Sequence, residues 1–170
     1  MIALGMAPGA HVDGFAFEHL RGIDAGALTR IQDGEGRPDA SQTEAKIGAC
    51  DLTDLSLRGM RANFAAQGVS DRIESWKGDA GGLDHVDVGS YPLIVTNPPY
   101  AIRVGNPRAI RALYGRFAKA AMDKGVERLV VTTPRSAWIV ESLQQAGFRI
   151  GEARRILYGA LPSTVIVANS

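Results

Sequence analysis

Four consecutive residues, Asn97-Pro98-Pro99-Tyr100, carry the most pointed chemistry in this chain. They follow an apolar run, Pro92 to Thr96, that reads as a strand, and ligands in open α/β sheets sit beyond strand ends. The side-chain oxygen of Asn97 accepts one hydrogen bond, and a neighbouring carbonyl, with that of Pro98 the first candidate, accepts another. Two prolines fix φ and remove two backbone N–H donors, so the loop presents acceptors and little else. Tyr100 can lay its ring on the face of a base. An exocyclic aromatic amine is a poor nucleophile because its lone pair is delocalised into the ring. Two acceptors that hold both N–H bonds turn that lone pair toward an electrophile. Such an arrangement suits methyl transfer from a sulfonium donor, where positioning supplies much of the catalysis. The competing reading is a rigid Pro-Pro turn after a strand.

Two acids strengthen the first reading. Asp51 ends one apolar run and Asp79 follows another. A carboxylate beyond a strand of an α/β sheet can hold both ribose hydroxyls of a nucleoside, and Asp79 could accept from an adenine amino group. Taken singly, each is as readily a helix cap or a surface residue. In series with the tetrapeptide they outline a nucleoside site.

The elements that must position these groups alternate. Lys46 to Cys50 reads as a buried strand ending at Asp51. Leu57, Met60 and Phe64 recur at helical spacing over Thr53 to Gln67, with Gly68 as the stop. Arg72 to Trp76 is a second strand and Pro92 to Thr96 a third. Over Pro107 to Lys124, Ile110, Leu113, Tyr114, Phe117 and Ala121 fall on one stripe, with Arg108, Arg111, Arg116 and Lys119 opposite. Val126 to Thr133 is a fourth strand, Ser136 to Ala146 a helix stopped by Gly147. Phe148–Tyr158 and Leu161–Ala168 form a closing antiparallel pair around Gly159. Residues 33–45 read as a loop or ragged helix. The expected class is α/β with a mostly parallel sheet, over a single domain, residues 1–170.

Length and composition fit that class. The 170 residues, 45% hydrophobic and 22% charged, suit one globular domain and argue against disorder or coiled coil. No apolar run approaches the roughly 18 residues of a membrane span, and the opening Met1–Ala7 lacks the basic flank of a secretory signal. One cysteine, Cys50, excludes an internal disulfide framework and fits the cytoplasm. His11, His19 and His85 lie in no metal-ligand spacing, so no metal site is expected. The net charge of +1 hides a polarity: residues 1–96 carry 8 basic and 14 acidic side chains, residues 97–170 carry 11 and 4. Fifteen of the 19 basic residues are Arg, the better phosphate fork. A polyanionic partner for the second half is one explanation; a coding bias toward Arg is the other.

The stretch from Asp51 through Tyr100 resembles class I AdoMet-dependent methyltransferases of the amino-methylating type. The longer string TNPPYAIRVGNPRAIRALYGRFAKAA resembles the RNA guanine-N2 methyltransferases that usually carry an upstream THUMP domain. MAPGAHVDGFAFEHL is similar to the segment after that family's first glycine loop, and LYGALPSTVIVA to its closing strands. The resemblance covers most of the chain. It implies a Rossmann-like sheet with an antiparallel closing strand and S-adenosyl-L-methionine as cofactor. Asp51 would bind the cofactor's ribose, and Asp79 with Ala80 its adenine. Asn97 would serve both cofactor and target, with Pro98, Pro99 and Tyr100 around the target amine. Arg103, Arg108, Arg111 and Lys119 would bind RNA, either tRNA or rRNA. The family's usual Gly after the tetrapeptide is Ala101 here. The family's first strand and its acidic glycine-rich loop are not found, so the chain is expected to begin inside the domain, with Met1–Ala7 as the end of the following helix. In that fold the missing strand lies between those ending at Asp51 and Asn97.

Asn-Pro-Pro-Tyr also serves DNA adenine and protein glutamine methyltransferases. The basic second half disfavours a protein substrate, and Ile102-Arg103 with LYGRF disfavours DNA adenine. A non-catalytic RNA-binding remnant that keeps the fold, or a nucleotide-binding domain unrelated to methylation, are the other classes. Trp76 and Trp138 are expected to pack in the core or on a sheet face rather than stack on bases.

Overall fold

Capping residues set the helices. Thr53 accepts the Ser56 amide at 3.1 Å and opens α1, Asp54–Ala66. Asn106 accepts the Arg108 amide at 2.9 Å, and Pro107, whose missing N–H costs nothing at a first helical position, opens α2, Pro107–Asp123. The third helix, α3, spans Ser136–Ala146 and stops at Gly147, whose φ of 106° is one that a side chain opposes. The strands are β1 (Ile47–Asp51), β2 (Ile73–Lys77), β3 (Leu93–Thr96), β4 (Arg128–Thr133), β5 (Arg149–Tyr158) and β6 (Leu161–Asn169). This computed structural model describes residues 46–84, 91–102 and 106–170. All the elements named belong to one unit, Ile47–Ser170. The readings placed on residues 1–7 and 33–45, on the three histidines and on Arg103 lie outside the described residues.

Strand pairing divides the described strands into two sheets. β1 pairs β2 in parallel, and β3 pairs β4 in parallel within a four-stranded sheet of order β3-β4-β6-β5. β6 runs antiparallel to both β4 and β5, so the last strand inserts between its predecessor and β4. The expected closing pair is therefore present, and it fills half of that sheet. β1 and β3, the strands that end at Asp51 and just before Asn97, lie in different sheets.

The core lies where α2 and α3 meet the four-stranded sheet. Tyr114, Phe117, Ala118 and Ala121 of α2 pack with Ile139 and Leu143 of α3 over Leu129 and Val131 of β4. Each large side chain so buried contributes about 1.5–3 kcal/mol. β1 departs from expectation. It alternates half-buried and exposed residues, because among the described residues only β2 pairs it and α1 packs on it. Gly48 there has no room for a side chain: a Cβ would run into the Trp76 ring of β2 and come within 3.2 Å of Tyr91. β3 likewise leaves Leu93 and Val95 exposed, at 49% and 70%, on one face.

Candidate active site

The tetrapeptide leaves β3 as a short loop with Asn97 and Pro99 exposed and Pro98 and Tyr100 half-buried. Two of its carbonyls are held from below. The Tyr114 hydroxyl, on α2, donates to the Pro99 oxygen at 2.8 Å. The Arg135 Nε, just past β4, donates to the Tyr100 oxygen at 3.2 Å. Tyr114 is buried, and burial pushes its phenol above the ordinary range. Its hydroxyl also lies 3.3 Å from Oγ1 of the buried Thr133, which accepts the Arg135 amide at 3.1 Å. Ala101 then turns the chain with φ at 49°, the left-handed region that glycine occupies freely. The departure from the family's glycine therefore falls where the backbone favours one.

The two acids follow paired strands, Asp51 at the end of β1 and Asp79 two residues past β2. β1 and β2 run in register with Asp51 opposite Lys77, and the Gly78 amide donates to the Asp51 carbonyl at 3.0 Å. The Asp51 carboxylate accepts the Thr53 amide at 2.9 Å and its hydroxyl at 3.3 Å, both on Oδ1. The Thr53 amide is the main reason its carboxyl is held below the usual range. Asp79 is more committed than its sequence position suggests. Its Oδ1 accepts the Gly81 amide at 2.8 Å and its Oδ2 the Arg116 guanidinium at 3.0 Å, and these bonds, the first above all, lower its pKa. Ala80, exposed, lies within the turn that the Gly82 and Leu83 amides close on the Asp79 carbonyl at 3.1 Å.

On α2 the basic residues are not equivalent. Arg116, read as part of one basic face, turns to Asp79 and lies 2.7 Å from where a Cβ on Gly81 would be. Arg111 pairs with Glu141 of α3, and Lys119 pairs with Asp123 one turn on, at 2.7 Å. Arg108 is exposed, and among the described residues no ion pair takes it. Exposed pairs of this kind hold their charges loosely, about 0–1 kcal/mol each, so these cations remain open to a stronger anion. The two tryptophans do not present open faces. Trp76 tilts against Tyr91 at 5.9 Å, and the Arg135 guanidinium covers Trp138 at 4.8 Å.

An open cleft of about 410 Å³ is lined by Pro134, just past β4, and by Arg155, Leu157 and Pro162 of the β5–β6 hairpin among others. None of the residues selected from sequence lines it. Thr133, Arg135 and the hydroxyl of Tyr114 also escaped that selection. The signal for the first two was their place just at the end of a parallel strand, where loops gather around ligands. Among the described residues no three His, Cys, Asp or Glu side chains gather as a metal site.

Residues 1–163 match the family described as UPF0020: RMKL-like, methyltransferase domain. The chain belongs to that family. It is 35% identical over 114 residues to a tRNA (guanine(6)-N2)-methyltransferase of Archaeoglobus fulgidus, covering 65% of this chain and 28% of that protein. It is 28% identical over 120 residues to a ribosomal RNA large subunit methyltransferase K/L of Vibrio parahaemolyticus, covering 69% and 17%. The crystal structure of SMU.472, a putative methyltransferase complexed with SAH, superposes with a TM-score of 0.67 at 20% identity, covering 98% of this chain and 42% of that one. The fold is thus the Rossmann-like one of class I methyltransferases. The chain spans less than a third of the length of these two relatives.

Proposed function

We propose that this methyltransferase domain transfers a methyl group from S-adenosyl-L-methionine to the exocyclic N2 amine of guanine in tRNA or rRNA. One observation carries the reading. The Pro99 and Tyr100 carbonyls are tied down by Tyr114 and Arg135. Asn97 and the Pro98 carbonyl are then the acceptors left for an incoming amine, with Tyr100 beside them for its ring. The names of the relatives, a guanine-N2 enzyme for tRNA and an enzyme for rRNA, favour the same substrate class.

The acids fit the cofactor. Asp51 stays ionised at neutral pH and can still accept at Oδ2, which suits a ribose hydroxyl. Asp79 and Ala80 line the turn proposed for the adenine, which the Gly81 amide on the Asp79 carboxylate and the Gly82 and Leu83 amides on its carbonyl hold in place. Binding of SAH by a protein of the same fold supports this assignment. When bound, the cofactor supplies an electrophilic methyl group on sulfonium. The chain's own part is positional: Asn97 and Pro98 hold both N–H bonds of the amine, Pro99 shapes the loop, and Tyr100 stacks on the base. No general base is needed, since the proton can leave to water once the methyl has moved.

Arg103, Arg108, Arg111 and Lys119 are proposed to meet RNA phosphates. A THUMP-type RNA-binding region is the companion that the resemblance suggests. Cys50 is a free thiol, no described helix is long and apolar enough to cross a membrane, and we read the protein as cytoplasmic. The test is to incubate the complete protein with isotope-labelled S-adenosyl-L-methionine and unmodified tRNA and rRNA, then digest to nucleosides. Label on guanine N2 supports the reading. Label on adenine alone, or on neither RNA, overturns it.

A further inference from the structure

Four groups from separate parts of the chain meet beneath the acceptor loop: the Pro99 carbonyl, the Tyr114 hydroxyl, the Thr133 hydroxyl and the Arg135 amide. Their proton inventory allows one arrangement. A carbonyl can only accept and an amide N–H can only donate, while each hydroxyl has a single proton to give. The Arg135 amide therefore donates to Thr133 Oγ1, Thr133 donates to Tyr114 Oη, and Tyr114 donates to the Pro99 oxygen. Every link points toward the loop. Tyr114 and Thr133 are both buried, at 1% and 0% exposure, so each link works in a low dielectric and polarises the next.

A tyrosine at that place in α2 is not required for packing alone. The helix buries Phe117, Ala118 and Ala121 on the same stripe, and a phenylalanine at 114 would fill the same space. The hydroxyl is what reaches the loop. It turns the Pro99 peptide inward, and because the two prolines leave few soft dihedrals between Asn97 and Tyr100, fixing that peptide also fixes the direction of the Pro98 carbonyl.

We propose that Tyr114, oriented by Thr133, is a positioning residue that sets the aim of the Asn97–Pro98 acceptor pair. This rests on the reading of that pair as the amine's site, and the experiment separates the two. Tyr114→Phe, Thr133→Val, Thr133→Ser and the Tyr114→Phe/Thr133→Val double variant are made in the complete protein. Three quantities are followed: the NMR resonances of the Pro98 and Pro99 carbonyl carbons, single-turnover methyl transfer to guanine-containing RNA, and S-adenosyl-L-methionine affinity.

Tyr114→Phe should move the Pro98 and Pro99 carbonyl-carbon resonances, that of Pro99 upfield as loss of its hydrogen bond requires, and slow transfer about 10- to 100-fold, with cofactor affinity within about twofold. Thr133→Val should reproduce part of this loss, and Thr133→Ser, which keeps the hydroxyl, should restore it. The double variant should be no slower than Tyr114→Phe, because the two groups act as one chain. A loss confined to thermal stability, with the Pro98 resonance and transfer unchanged in Tyr114→Phe, overturns the proposal. If the loop resonances respond as described but the wild-type protein labels no guanine, the positioning role stands and the substrate reading falls.

Discussion

Two residues other than glycine hold left-handed backbone, Ala101 at φ 49° and Leu83 at φ 51° among the described residues, and the same substitution should act on them with opposite sign. An L-residue in that region costs roughly 1–2 kcal/mol relative to glycine. Ala101→Gly relieves that strain. Against it stands the greater freedom of glycine in the unfolded chain, about 0.4–1 kcal/mol, and little burial is lost with one half-exposed methyl. The net is a stabilisation of about 0.5–1 kcal/mol. Leu83→Gly gains the same relief but gives up a side chain only 6% exposed within the core of α2, α3 and β4. Burial of that side chain contributes about 1.5–3 kcal/mol, and with the glycine entropy added the net is a loss of about 1–2 kcal/mol. For a chain of this size each kcal/mol moves Tm about 2–4 °C. Differential scanning calorimetry should therefore place Ala101→Gly about 2 °C above wild type and Leu83→Gly about 3–6 °C below. Urea titration should show shifted midpoints with unchanged slopes, as expected where only stability changes. A neutral or destabilising Ala101→Gly, or a stabilising Leu83→Gly, would refute the strain argument.

Asn97→Ala should slow single-turnover methyl transfer by about 100- to 1000-fold, as for loss of one preorganised polar contact, while S-adenosyl-L-methionine affinity measured by calorimetry changes far less; a near-wild-type rate removes Asn97 from its role. Neutralising Arg108, Arg111 and Lys119 to Gln should flatten the salt dependence of RNA affinity, by up to about one unit of slope per lost phosphate contact. Arg108→Gln alone should give the largest single step, because Arg111 and Lys119 are shared with Glu141 and Asp123; unchanged slopes would mean a solvated face. Asp51 and Asp79 both have folded pKa values below the ordinary carboxylate. Their contribution to stability is complete above the unfolded value near 3.9 and is lost as pH falls through the depressed folded values. Arg116→Ala should raise the Asp79 pKa in a carbon-detected NMR titration and leave Asp51 unmoved, and a joint shift would count against their separate causes.

Much of the local structure is legible from neighbouring residues. The helix over Ser136–Ala146 is bounded as expected, since Gly147 is a stop that acts within its own turn. Thr53 and Asn106 cap their helices through bonds two or three residues long, and the apolar stripe of α2 announces its buried face directly. The candidate loop is legible for the same reason: two prolines and an asparagine dictate an acceptor-rich turn wherever the chain places them. What needed the tertiary structure is every decision made between distant segments. Periodicity marks Tyr114 as buried but cannot say that its hydroxyl meets a carbonyl 15 residues before it and a threonine 19 after. Likewise Arg116 and Arg111 read alike along the helix. One is drawn to Asp79, 37 residues away, and the other to Glu141, 30 residues away. The insertion of β6 between β4 and β5 is of the same kind. Spacing along a chain determines which face a side chain occupies, whereas its partner depends on how separate elements pack, and that is settled by burial summed over the whole core rather than by any one segment.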